Sequence, residues 1–176
     1  MRLQSVCVGM KKSGWIWIAV GIGALAFIAT EGGNVVSNIV SSAYSAVINA
    51  FALAIQQAEG WAPGSWSYVT NNPGNITDMG QPGQIGTKTN PQSGIMFPVF
   101  DTYLDGFNAL CWKLNRAFSG LSSVYTPGMS ISQFFQAYSG DQNEANNVAS
   151  ILGVDPNTTL AQLQANFDSG NSGVLS

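Results

Sequence analysis

Histidine is absent from this chain. With it go the commonest general base, the Ser-His-Asp and Cys-His arrangements, and most zinc and copper sites. Acid and base chemistry is left to carboxylates and tyrosines, and no metal or cofactor is expected. Positive charge is nearly as scarce, since Lys and Arg total 6 against 9 acidic residues, and Arg2, Lys11 and Lys12 sit at the N-terminus. From Glu31 onward only Lys88, Lys113 and Arg116 oppose nine carboxylates. There is no basic face for a phosphate backbone, so nucleic acid is not an expected partner. Cysteine occurs twice and not as a pair: Cys7 precedes a hydrophobic segment, while Cys111 falls inside an amphipathic pattern and reads as a buried apolar thiol.

What is present is enough for one folded unit with appendages, since 176 residues with 45% apolar content can bury a core. The first appendage is uncharged from Ser13 to Thr30, SGWIWIAVGIGALAFIAT, directly after Lys11 and Lys12. That arrangement reads as a signal anchor retained as one span, short against the typical figure of about 20 apolar residues. A cleaved signal peptide is the alternative, with Ala24-Leu25-Ala26 as its small-x-small site. In either case the positive-inside bias puts everything after about residue 31 outside the cytoplasmic membrane. The expected location is the inner membrane facing the periplasm or exterior, or a secreted or virion-associated form. Residues 31–42, EGGNVVSNIVSS, are small and weakly patterned and read as a tether.

The domain is expected over 43–167, with a disordered tail from Asp168. Tyr44, Val47, Ile48, Phe51 and Ile55 follow steps of three and four, which predicts an amphipathic helix. From Ile48 to Phe51 to Ile55 the next step of four lands on Glu59, and Gly60 ends the helix. Gly, Pro, Asn and Thr then dominate from Trp61 to Phe100, predicting loop and a small hairpin from Gln84–Thr87 and Ile95–Phe100. Thr102 and Asp105 are spaced like a capping box ahead of a helix bearing Tyr103, Phe107, Leu110, Cys111, Leu114, Phe118 and Leu121. Further helices are predicted at about 130–138, from an Asp141/Glu144 capping pair through Leu152, and after Thr158 or Thr159. The order of helix, irregular β region and several helices predicts an α+β fold.

A carboxylate on the inward stripe of a helix, beside Trp61 and Trp66, sits where desolvation raises a pKa and keeps a proton available. A general acid that protonates a glycosidic oxygen needs that property, for which lysozyme is the standard illustration. The competing reading is a plain solvent-facing residue at a helix end.

Glu59-Gly60-Trp61, then Asn71-Asn72-Pro73-Gly74-Asn75-Ile76, then Gly94-Ile95-Met96-Phe97-Pro98-Val99-Phe100-Asp101 resembles a bacterial and phage group of lysozyme-like muramidases and lytic transglycosylases. The resemblance spans about residues 45–165, including Leu152-Gly153-Val154. It implies a lysozyme-like α+β fold, peptidoglycan glycan strands as partner and substrate, and Glu59 as acid/base beside a sugar cleft lined by the NNPGNI loop. Ala137-Tyr138-Ser139-Gly140 resembles the helix end that supplies a Tyr near the scissile bond in transglycosylases, with Ser139 where those relatives usually carry Asn. Asn72 and Asn75 suit either sugar hydrogen bonding or loop folding, and Trp61, Trp66 and Tyr68 either sugar stacking or the core. Glycosidases usually pair two carboxylates. Asp78 is the candidate second one, while Asp101 and Asp105 read as helix caps. A lone acid/base fits a lytic transglycosylase and equally a goose-type lysozyme with a distantly placed base, and a non-catalytic glycan-binding or structural component of a virion or secretion apparatus is the rival from another class.

Overall fold

The computed structural model describes residues 15–20, 24–31, 34–38 and 44–170. The chain divides into two units, residues 1–42 and 43–176.

In the first unit, β1 (Trp15–Val20), β2 (Ala24–Glu31) and β3 (Asn34–Asn38) form an antiparallel sheet in the order β1-β2-β3. Trp15 pairs with Ala29 and Phe27 with Asn38. Of the stretch expected as a membrane span, residues 15–20 and 24–30 are strand, as are Glu31 and Asn34–Asn38 of the expected tether. Aromatic and β-branched residues such as Trp15, Ile16, Trp17, Ile18, Val20, Phe27 and Ile28 suit extended backbone, and apolar length alone does not separate a helix from strands. Among the described residues no helix is long and apolar enough to cross a membrane. Cys7 and the basic residues Arg2, Lys11 and Lys12 lie outside the described residues.

The second unit is α+β. Its helices are α1 (Ala46–Ala58), the short α2 (Trp66–Val69), α3 (Tyr103–Phe118), α4 (Ile131–Tyr138), α5 (Gln142–Ile151) and α6 (Leu160–Asp168). Its hairpin is β4 (Gln84–Thr89) and β5 (Met96–Phe100), antiparallel from Gln84↔Phe100 to Thr89↔Met96. Helix α2 stands where only loop and strand were expected, started by Ser65, whose hydroxyl accepts the Tyr68 N–H. Capping boxes start α3 at Thr102/Asp105, α4 at Ser130/Gln133 and α6 at Thr159/Gln162, each satisfying two backbone donors that a helix start otherwise leaves open.

The core lies between α1 and the later helices. Phe51, fully buried, meets Phe118 and Phe134 edge-on at centroid distances of 5.7 and 5.5 Å. Ile55, Leu110, Leu114, Ile131, Phe135, Val148 and Leu160 complete it. Cys111 is fully buried and its thiol is pushed up to about 12 by that burial, so it acts as a packing group.

The Asn71–Ile76 loop is fixed on three sides. The Asn71 amide donates to the carbonyls of Phe100 and Asp101 at 3.1 and 2.9 Å, tying the loop to β5. The Tyr138 hydroxyl donates to the Gly74 carbonyl, tying it to α4. On the third side α3 comes so close at Gly106 that a Cβ there would stand 1.8 Å from the Asn71 carbonyl oxygen. In an open helix, Gly→Ala gains roughly 1 kcal/mol. Against a fixed backbone the clash wins, and Gly106→Ala is expected to cost about 3 kcal/mol or more, read by urea unfolding.

Candidate functional site

Helix α1 ends in a Schellman turn. The Gly60 N–H bonds the Gln57 carbonyl and the Trp61 N–H bonds the Gln56 carbonyl, with Gly60 at φ +66°. Glu59 is the last residue before that turn, so its direction is set by backbone hydrogen bonds on both sides. Its side chain is half-buried. Asn75, left-handed at φ +45°, donates its side-chain amide to Glu59 Oε2 at 2.5 Å. The sequence-predicted pair of Glu59 and Asn75 is thus brought together, across a separation of 16 residues.

Burial is the main cause that lifts the Glu59 carboxyl up to about 8, and the charges of Glu144 and Asp141 raise it further. The Asn75 amide favours the ionised form but does not outweigh them. At neutral pH Glu59 therefore holds its proton.

Glu144 is the residue that the sequence reading missed. Asp141 caps α5 alone, its carboxylate accepting the Asn143 N–H at 2.8 Å. The Glu144 side chain turns inward instead, 9% exposed, and its charge acts on the Glu59 carboxyl and raises its pKa. Burial raises its own pKa, and the Ser139 hydroxyl partly offsets this. Glu144 Oε1 and Asn75 Oδ1 are both buried acceptors with no hydrogen-bond partner in the protein. The signal that finds Glu144 is the stripe arithmetic that found Glu59. Val148 and Leu152 are buried on α5 and its end, and a step of four back from Val148 lands on Glu144.

The other predicted residues divide. Tyr138 is near both carboxyls, and burial followed by the charges of Glu59 and Glu144 holds its phenol well above the usual tyrosine range. Its proton goes to the Gly74 carbonyl, so it steadies the loop. Asn72 is fully buried and spends its amide on its own loop, bonding both the carbonyl and the N–H of Ile76 at 2.8 and 3.0 Å. These bonds serve the folding of the loop, one of the two roles that its sequence suits. Asp78 is ion-paired with Lys113.

Trp61 packs against Tyr68 and Tyr103 at 5.1 Å each, leaving Tyr68 43% exposed, so the two predicted stacking residues form one half-open aromatic surface beginning two residues after Glu59. Trp66 instead meets Phe97 edge-on at 6.1 Å, with the Lys88 ammonium 5.4 Å from its ring. No group of His, Cys, Asp and Glu among the described residues is arranged to hold a metal ion.

The sign of the Glu59 shift fixes a pH dependence. Its folded pKa of about 8 lies above the ordinary 4.5, so the folded state holds a proton that the unfolded chain releases. That contribution is fully present below pH 4.5 and is lost as pH rises through about 8. Glu59→Gln cannot ionise and is expected to flatten part of this slope, gaining on the wild type by on the order of a few kcal/mol between acidic and mildly basic pH. Urea unfolding at both pH values checks it, and a flat wild-type profile would contradict it. Glu144→Gln removes the neighbouring charge and is expected to lower the Glu59 pKa, read by carboxyl-carbon NMR titration.

No family model matches the chain, and no curated protein or solved structure matches it either.

Proposed function

We propose that this chain cleaves the β-1,4 bond between N-acetylmuramic acid and N-acetylglucosamine in peptidoglycan, acting as a lytic transglycosylase with Glu59 as its single acid/base. The observation that carries the reading is a half-buried carboxyl at the end of α1, lifted to about 8 and held by Asn75. The resemblance of the Glu59-Gly60-Trp61, NNPGNI and GIMFPVFD segments to lysozyme-like lytic enzymes supplies the substrate class.

In this reading the Glu59 O–H protonates the glycosidic oxygen as the bond to the muramoyl C1 breaks. The resulting carboxylate takes the proton of the muramoyl 6-hydroxyl, whose oxygen attacks C1 and closes a 1,6-anhydro ring. The proton count closes and no water is consumed. In this reading Glu144, whose charge raises the Glu59 pKa, serves to keep Glu59 protonated. Asn75 holds Glu59 Oε2. Tyr68, 43% exposed beside Trp61, is an aromatic side chain available for stacking on a sugar ring. The site belongs outside the cytoplasmic membrane, where such a substrate lies.

The test is mass spectrometry of muropeptides released from purified peptidoglycan by the full chain, with Glu59→Gln in parallel. Expected are products ending in 1,6-anhydromuramic acid, with release reduced by at least about 100-fold in the variant, the scale of a lost general acid. Reducing ends in place of anhydro ends would make the chain a hydrolase. Glycan binding with no product from either form would make it a non-catalytic binding component.

A further inference from the structure

Bases are scarce in the second unit, where Lys88, Lys113 and Arg116 are the only three. Two of them line one hollow of about 160 Å³, together with Gln81, Trp112, Tyr125 and Asp78. A larger hollow of about 290 Å³, lined by Gln57, Ala58, Asn147, Ser150 and Ile151, contains no charged side chain. The concentration of positive charge is therefore particular to the smaller one.

Its construction is specific. Lys113 is buried, neutralised by Asp78, and rests its ammonium 5.1 and 4.7 Å from the centres of the Tyr125 and Tyr138 rings. With Lys113 paired, Arg116 is the surplus charge. Its guanidinium lies 5.0 Å from the Trp112 ring centre and donates one N–H to the Leu121 carbonyl at 2.6 Å. A guanidinium carries five N–H donors in a planar fork, so donors remain for a carboxylate. Gln81 supplies the second feature. It is 8% exposed, and its Oε1 is buried with no hydrogen-bond partner in the protein. The hollow thus presents a cation for a carboxylate and a buried acceptor for an N–H. A peptide, with amide N–H groups and a free carboxylate, offers both. Tyr138 connects this hollow to the acid, because one of its faces carries the Lys113 ammonium while the Glu59 and Glu144 charges also act on it.

We propose that this hollow is a subsite for the carboxylate-bearing stem peptide attached to the muramic acid of the strand, with Arg116 binding a peptide carboxylate and Gln81 Oε1 accepting a peptide N–H. The inference rests on peptidoglycan being the substrate, but not on the strand being cut. It makes Arg116 a specificity residue that separates peptide-bearing from stripped glycan.

Calorimetric binding to the full chain tests it without relying on cleavage. The probes are a GlcNAc–MurNAc disaccharide bearing an Ala-Glu dipeptide and the same molecule with every carboxylate amidated. The acid form is expected to bind the wild type at least about tenfold more tightly than the amide, the scale of a charge-assisted hydrogen bond. Arg116→Gln should abolish that preference and Arg116→Lys should retain part of it. Equal binding of the two probes to the wild type, no binding of either, or a preference that survives in Arg116→Gln would each overturn the subsite. Whether anhydro products form decides the cleavage reading separately, so either idea can fail while the other stands.

Discussion

Asn72 lies fully inside the protein and bonds both backbone polar groups of Ile76 with one side chain. These two hydrogen bonds close a turn in which Asn75 takes positive φ, as does Asn71 just before it, a conformation that asparagine tolerates better than most side chains. A segment with two strained residues persists only when its surroundings over-determine it. Here they do, through β5, through the contact of Gly106 with the Asn71 carbonyl, and through the Tyr138 hydroxyl on Gly74. Asn75 reaches Glu59 because the turn holds its shape, so the position of the loop and the hydrogen bond to the acid are parts of one constraint.

At the carboxyl itself, opposed effects meet and their balance decides the chemistry. Asn75 favours the charged form, while burial and the nearby charges of Glu144 and Asp141 favour the neutral one. The neutral form wins because a single amide dipole does not replace lost water, and a second carboxyl close by makes double ionisation costly. The end of α1 acts in the same direction, since a helix C-terminus disfavours negative charge.

Much of the second unit was legible in its sequence, because capping boxes and three-four spacing are local signals. The Thr102/Asp105 box and the turn after Glu59 are both read within a few residues. Long-range pairings were not legible. Nothing local distinguishes Asn72 from Asn75, yet one is enclosed by its own loop and the other faces the acid. Asp78 looked free because its partner Lys113 lies 35 residues further on. Glu144 was taken for a cap, since Asp and Glu three apart at a helix start satisfy that pattern, whereas its place on the buried stripe tells the other half of the story.

The Schellman turn after Glu59 gives the length of α1 a meaning beyond packing. An α-helix turns about 100° per residue, so adding or removing one residue between Phe51 and Gly60 would swing the carboxyl by that angle and carry it away from Asn75. Core side chains can repack after such a change, but the angular phase of the last residue cannot be recovered by repacking. The count of residues from the centre of the core to the helix end is in that sense a functional dimension of this protein, as much as the identity of the residue placed there.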